Sequence, residues 1–214
     1  MDLDEVWRTI DAERAGLADL FEELSPAEWG TPSLCDAWRV GDVAAHLTLA
    51  HTGYRAALVG AVRARGSFDG MIRDTALRAA SQPRSEYPRR LRAMVGSRRT
   101  APFITPMEPL IDVLVHGQDI ALPLARSRPM PTAAATAAAQ RAWDLGFPVR
   151  ARKRLTGLRL AATDTDWAVG SGERVEGPIA ALLLLVTGRD AAVDQLTGDG
   201  VRTLRRREET RRPT

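Results

Sequence analysis

The chain has 214 residues and a formal net charge of +3, and 44% of its residues are apolar and 27% charged. This composition is that of an ordinary globular protein, which excludes a disordered or fibrous chain. The single cysteine, Cys35, excludes an intramolecular disulfide and a cysteine-rich zinc module. The longest apolar run, 179–186, is too short to span a bilayer, and no signal peptide is visible, so the sequence predicts a cytoplasmic protein.

The basic residues are almost all arginine, because Lys153 is the only lysine. Richness in arginine and alanine is typical of a high-GC genome and indicates little about partners. The densest basic run is VRTLRRREETRRPT at the end of the sequence. No recognition-helix pattern accompanies it, so we interpret this run as solvated surface and do not predict nucleic-acid binding.

The first part of the chain shows helical periodicity. Apolar residues at helical spacing predict an amphipathic helix over Asp4–Leu24, and Ser25–Glu28 matches a capping box that begins a short helical turn. A long helix is predicted from about Val40 to about Arg65, with His46 on its apolar face.

Further helical segments follow a glycine-containing break. Two pieces are predicted at about Met71–Ala80 and about Glu86–Arg98, and a proline-rich loop then leads into an apolar helix over Pro109–Leu124. The first part of the chain therefore contains four main predicted helices.

The pattern changes after a proline-containing connector. An alanine-rich helix is predicted over Thr132–Leu145, and residues 155–170 alternate like two strands, with a third strand at 173–177. Pro178–Thr187 is predicted to be a buried helix, and Gly200–Leu204 to be a last strand. The predicted class is α+β, with a four-helix bundle over 1–148 and a small α/β domain over 149–214.

The helix over Pro109–Leu124 carries polar groups on an otherwise apolar surface. Asp112 and His116 lie four residues apart and therefore share one face. A carboxylate and an imidazole on a buried helix require partners. The spacing alone is compatible with a metal site and with a hydrogen-bonded Asp–His pair. His46, taken by itself, is typical of a hydrogen-bonded core histidine, but facing helices of a bundle can bring such groups together.

Three segments resemble the maleylpyruvate isomerase family of mycothiol-dependent enzymes, whose N-terminal domain is a DinB-like four-helix bundle. The first, TPSLCDAWRVGDVAAHL, is similar to the family's proline, cysteine and tryptophan run before a helix with His-Leu. The second, DVLVHGQDIALPL, is similar to the family's acidic-x-x-x-His-Gly-x-Asp helix. The third, VEGPIAALLLLVTGRD followed by LTGDGV, is similar to the family's C-terminal domain.

The resemblance implies a divalent metal, usually zinc, bound by two histidines and one acid. His46 corresponds to the first histidine, Asp112 to the acid and His116 to the second histidine. The family commonly has glutamate at the acidic position, so the shorter Asp112 implies a metal closer to the helix or held by the imidazoles alone. Asp119 is expected to accept a hydrogen bond from a ligand imidazole, or else to bind the loop at the end of the bundle.

The resemblance also implies an activity. It predicts an actinobacterial enzyme, an isomerase or S-transferase, in which the metal activates mycothiol for addition to a small electrophile that carries carboxylates. Arg189 matches a glycine-arginine pair of the C-terminal domain and is expected to bind such a carboxylate, in a site between the domains, or else to be a solvated arginine at a helix end. Cys35 is interpreted as a thiol that packs near Trp38.

A non-enzymatic alternative remains open at this point. A DinB-like stress or binding protein, with or without metal, could retain the shape without turnover, and the Asp112 departure favours it. In either case the expected partners are small molecules, with no nucleic acid and no membrane, and the protein is expected to be a monomer or a homodimer.

Overall fold

A computed structural model describes residues 1–49, 83–100, 104–146 and 149–211. Within these ranges the chain forms α helices and one small three-stranded sheet, so the predicted α+β class is confirmed. The chain divides into two compact units, Asp2–Pro129 and Met130–Thr214. Among the helices that are described, none has the length and apolar character needed to cross a membrane.

Four α helices make up the described part of the first unit. They are α1 (Leu3–Glu23), α2 (Val40–Leu47), α3 (Glu86–Met94) and α4 (Met107–Ala121). Helix α1 packs against α3 and α4, and α2 packs against α4. The predicted first helix is therefore confirmed, and α2 and α4 are neighbours, which is the arrangement that a site shared by these two helices requires.

The core of the first unit follows from the helical spacing of its apolar residues. Ile10, Leu17 and Phe21 lie on one face of α1 and are buried. The ring centroids of Phe21 and Trp29 are 5.5 Å apart, and those of Trp29 and Tyr87 are 5.7 Å apart. This aromatic cluster joins α1, the 3-10 turn Glu28–Gly30 and α3.

Helices α2 and α4 differ from their predicted bounds. The regular part of α2 ends at Leu47, where Thr48 Oγ1 donates a hydrogen bond of 2.7 Å to Ala45 O. The predicted continuation of this helix and the predicted piece at 71–80 lie outside the described residues. Helix α4 begins at Met107, before the predicted Pro109, and Glu108 Oε2 in its first turn accepts a 2.7 Å hydrogen bond from Thr105 N.

The second unit contains four described α helices and the sheet. The elements are α5 (Thr132–Asp144), α6 (Ala151–Arg154), β1 (Leu158–Ala162), β2 (Ala168–Gly170), β3 (Glu173–Gly177), α7 (Ile179–Val186) and α8 (Gly200–Arg211). The strand order is β2-β1-β3, with β1 antiparallel to β2 and parallel to β3. Helix α5, which the sequence assigned to the first domain, packs against α7 in this unit.

The predicted strand at Gly200–Leu204 is wrong, because these residues begin helix α8. Val201 and Leu204 are both buried and lie three residues apart, whereas Arg202 and Arg205 are exposed. Burial at a spacing of three is the pattern of a helix face, and a strand would have buried alternate residues. The three other predicted strands are confirmed as β1, β2 and β3.

Candidate metal centre

Helix α4 places three polar side chains on one stripe. Asp112 and His116 are four residues apart and Asp119 follows three residues later, so all three project from the same side of the helix. His116 is 14% exposed and Asp112 39%, whereas Asp119 is fully buried. The stripe therefore runs from the solvent-accessible edge of the unit into its core.

Helix α2 brings His46 to the same stripe. His46 lies in the last turn of α2, and its ring centroid is 4.9 Å from that of His116, with the rings nearly perpendicular. His46 Nε2 is 3.6 Å from Asp112 Oδ2, and His116 Nε2 is 3.5 Å from Asp112 Oδ1. The Asp112 carboxylate thus faces both imidazoles, one with each oxygen.

These distances are near the spacing that a metal imposes on its ligands. Zinc binds nitrogen and oxygen donors at about 2.0–2.1 Å in tetrahedral geometry, so two donors on one ion lie roughly 3.3–3.4 Å apart. The separations of 3.5 and 3.6 Å are close to that value, each to a different oxygen of Asp112, and one donor atom from each of the three residues lies within 4.8 Å of the other two. The nitrogen and oxygen donors present therefore suit a divalent cation, and the shorter acid reaches both imidazoles.

Asp119 lies on the other side of the His116 ring. Its Oδ2 is 2.7 Å from His116 Nδ1, which is a hydrogen-bond distance and is too short for two ligands of one metal ion. With Asp119 in its ionised form, its oxygen accepts and His116 Nδ1 donates, which leaves Nε2, 3.5 Å from Asp112 Oδ1, as the nitrogen available to a metal. The geometry is that of a histidine oriented by a buried acid.

A second group of potential donors, Cys35, His116 and Asp119, shares this imidazole. Cys35 Sγ donates to Asp119 Oδ2 at 3.1 Å and lies 3.8 Å from His116 Nδ1. Since the nitrogen and the carboxylate oxygen of this group are in hydrogen-bonding contact, the group forms a hydrogen-bonded cluster around Asp119. Of the two groups found in the described ranges, His46, Asp112 and His116 have the metal-like spacing.

The loop between Thr31 and Arg39 touches both histidines of the site. Cys35 reaches His116 through Asp119, and the Trp38 ring meets the His46 ring edge-on with centroids 5.5 Å apart. Sequence reasoning missed the contact between Cys35 and Asp119. The signal was present in the motif TPSLCDAW, whose cysteine and tryptophan precede the helix of the first histidine, but it carried no information on the distant partner.

Arg189 lies in the second compact unit, just after Gly188 at the end of α7. It is partly buried, and its Nη1 donates a 2.8 Å hydrogen bond to Thr187 O. Its predicted role toward a substrate carboxylate stays a prediction.

Comparisons with known proteins agree with these features. The family model described as the mycothiol maleylpyruvate isomerase N-terminal domain matches residues 10–121, which is more than half of the chain and includes all the site residues of α2 and α4. Two solved structures resemble the chain over 93% of its length and 93% of theirs, each with a TM-score of 0.64.

Both are crystal structures of the mycothiol-dependent maleylpyruvate isomerase, one of them of a histidine-to-alanine mutant, with 15% and 14% sequence identity to this chain. At this identity the likeness shows a shared fold. No curated protein matches the sequence of this chain. From the match over residues 10–121, the chain belongs to the family of the mycothiol maleylpyruvate isomerase N-terminal domain.

Proposed function

We propose that this protein is a metal- and mycothiol-dependent enzyme that acts on a small electrophile, with His46, Asp112 and His116 as its metal ligands. Membership of an enzyme family supports the activity. The observation that carries the proposal is the convergence of the three side chains, with both imidazole Nε2 atoms within 3.6 Å of the Asp112 carboxylate.

The ligand number favours a catalytic role over a structural one. Structural zinc is usually enclosed by four protein ligands, whereas catalytic zinc has three and keeps one position for water or substrate. When bound, a divalent cation lowers the pKa of a thiol beside it and favours the nucleophilic thiolate. The partial exposure of His46, Asp112 and His116 leaves their cluster accessible to a small molecule.

The proposed reaction follows the name of the family. In the isomerisation of a cis-enedioate, the thiolate sulfur forms a bond to one alkene carbon as the π bond breaks and its electron pair moves onto the conjugated carbonyl group as an enolate. The remaining single bond then rotates. Elimination then breaks the carbon–sulfur bond, regenerates the thiolate and gives the trans product. Transfer of the thiol to such an electrophile stops at the addition product, in which the enolate has taken up a proton, and the donor set supports either outcome.

The substrate of this reaction carries carboxylates. A guanidinium binds a carboxylate through two parallel hydrogen bonds, and we propose that Arg189 provides this contact. An Arg189→Lys variant is expected to raise KM more than it lowers kcat, because it keeps the charge and loses the paired hydrogen bonds. Equal KM values for the two proteins would contradict this role of Arg189.

The test begins with metal content. Protein purified without added metal should contain about one divalent ion per chain by elemental analysis, and His46→Ala and His116→Ala should each lose it. Asp194→Ala, which removes a 92% exposed carboxylate in the second unit, is the control and should keep the metal.

The second step is turnover of mycothiol with maleylpyruvate and with other small electrophiles. Mycothiol-dependent turnover that disappears in the histidine variants supports the proposal. A second candidate function, a non-catalytic binding protein, is favoured by the aspartate that stands at 112 where the family commonly has glutamate. A protein that binds metal but shows no mycothiol-dependent turnover would support that candidate.

A further inference from the structure

Asp119 is a fully buried carboxylate, and its environment explains how it tolerates burial. A buried charge is costly unless hydrogen-bond donors surround it. Oδ2 is in contact with two donors at once, since His116 Nδ1 is 2.7 Å away and Cys35 Sγ is 3.1 Å away. The thiol and the imidazole are therefore linked through a single oxygen atom.

The hydrogen bonds assign the protons in this cluster. With Asp119 ionised, its Oδ2 only accepts, and the nitrogen and the sulfur both donate. His116 then carries a proton on Nδ1, and its Nε2, which lies 3.5 Å from Asp112 Oδ1, is the nitrogen available to a metal. The Cys35 thiol lies on the Nδ1 side of the His116 ring, 3.8 Å from that nitrogen, and donates to Asp119 Oδ2.

The backbone holds Cys35 in place from two directions. Ser33 Oγ accepts a 3.1 Å hydrogen bond from Cys35 N, and Cys35 O accepts a 3.0 Å hydrogen bond from Trp38 N. Leu34 N donates to Asp119 O at 3.2 Å, so the loop is also attached to the backbone of the residue whose side chain the thiol meets. The thiol thus has a fixed position relative to the carboxylate.

We propose that Cys35 is a positioning residue, whose thiol holds the Asp119 carboxylate in the orientation that receives His116 Nδ1–H and so fixes His116 Nε2 as a ligand atom. The inference rests on the proposed metal site and deepens it. Mutation of a residue that is hydrogen-bonded to a ligating histidine typically lowers metal affinity by about 10–100-fold. Cys35 contacts such a residue, Asp119, so we expect a smaller effect from its substitution.

The test compares two near-isosteric variants. Cys35→Ser keeps a donor, whereas Cys35→Val keeps an apolar side chain of similar size without one, and Cys35→Ala serves as a second donor-free variant if valine perturbs folding. Zinc affinity is measured by competition with a chelator. The donor-free variants should bind zinc about three- to tenfold more weakly, and Cys35→Ser should stay within about twofold of the unchanged protein.

A second readout needs no metal. In the metal-free protein, the His116 Nδ1–H proton should give an NMR signal protected from solvent exchange, assigned by its absence in His116→Ala. The signal should persist in Cys35→Ser and broaden or disappear in Cys35→Val and Cys35→Ala. Thr187→Ala is the control and should change neither readout. It removes a partly buried hydroxyl of the second unit, where Thr187 Oγ1 donates to Leu183 O.

The outcomes separate the two proposals. If the donor-free variants keep both the zinc affinity and the protected proton, or if Cys35→Ser loses them equally, the thiol only fills space and the inference is wrong. The unchanged protein could instead bind no zinc while the proton signal still depends on the donor at residue 35. The hydrogen-bonded arrangement of Cys35, Asp119 and His116 is then correct, and the proposed metal-dependent function fails.

Discussion

The Asp112 carboxylate is the group of the candidate centre that lies close to both histidines. Its two oxygens face two different imidazoles, at 3.6 Å from His46 Nε2 and 3.5 Å from His116 Nε2. One carboxylate therefore faces both histidines, one with each oxygen. The carboxylate is also the most exposed of the three groups, so its substitution perturbs the core least.

We expect Asp112→Asn to weaken zinc binding by at least about tenfold, because the amide keeps the shape of the ligand and loses its negative charge. Chelator competition on purified protein measures the change, and the urea unfolding midpoint of the metal-free protein should stay close to that of the unchanged protein. Equal zinc affinities for the two proteins would mean that the two imidazoles hold the metal without the acid.

Gly117 shows why the residue after His116 must be small. A Cβ atom at Gly117 would lie 2.8 Å from Arg128 Nε, closer than such contacts allow. Arg128 cannot easily move away, because its Nη2 bonds Glu13 Oε2 at 2.5 Å and Glu13 O at 3.1 Å. The glycine therefore lets the Arg128 guanidinium pass across α4 to reach α1.

Gly117→Ala should lower the free energy of unfolding by about 1–3 kcal/mol, the usual range for an overpacked site. The effect should shrink when Arg128→Ala is present, because the clashing atoms are then gone and the two substitutions share one contact. Urea unfolding of the unchanged protein, the two single variants and the double variant measures the difference in free energy of unfolding. Strict additivity would show that the methyl group meets no Arg128 atom.

At the scale of elements, the turn after α1 is secured by a network around Glu28. Glu28 Oε2 accepts hydrogen bonds from Ser25 N at 2.8 Å and Ser25 Oγ at 2.7 Å, and Arg126 Nη2 donates to Oε1 at 2.9 Å. The backbone hydrogen bond from Ser25, followed by the hydrogen bond from Arg126, lowers the pKa of Glu28 from its ordinary value of 4.5 to about 2.

This depressed pKa predicts a pH-dependent contribution to stability. The folded state holds the charged form, so the contribution is complete above the unfolded-state value near 4.5 and is lost as the pH falls toward 2. Glu28→Gln should therefore be less stable than the unchanged protein at pH 7, and the difference should shrink between pH 4.5 and pH 2. Urea midpoints across this range provide the measurement. A difference that stays constant with pH would contradict the network.

The loop before α2 and helix α4 act together at the same scale. Ala37 has a φ of 62°, a left-handed conformation that a β-branched residue strongly disfavours, and this turn lies between Cys35 and Trp38. The Cys35 thiol contacts Asp119, the acid that is hydrogen-bonded to His116, and the Trp38 ring contacts the ring of His46. A short loop with one unusual backbone conformation therefore supports both imidazoles of the candidate centre.

At the scale of the molecule, the candidate centre links two helices that are distant in sequence. His46 comes from α2, and Asp112 and His116 come from α4. A metal that binds this arrangement only in the folded state stabilises the protein by mass action.

At a free zinc concentration of 100 times the dissociation constant, the free energy of unfolding should rise by about 2.7 kcal/mol. Thermal unfolding with and without zinc measures this shift, and addition of a chelator should reverse it. His46→Ala should show no zinc-dependent shift. A shift of equal size in His46→Ala would locate the stabilising metal elsewhere in the chain.

Much of the first unit could be predicted from the sequence. Local signals fixed the capping box at Ser25–Glu28 and the shared face of Asp112 and His116, because three- and four-residue spacings on a helix determine which side chains are neighbours. The wrong element, a strand at Gly200–Leu204, came from a short apolar pattern that suits a strand or a helix until its packing surface is known.

Only the tertiary structure decided the contents of the site. The sequence by itself determined the α+β class and, through family resemblance, singled out His46, Asp112 and His116. It did not determine that a single aspartate faces both imidazoles, or that Cys35 meets Asp119 across more than eighty intervening residues. Such contacts depend on how α2, α4 and the loop before α2 pack, and this packing is set by interactions spread over the whole unit.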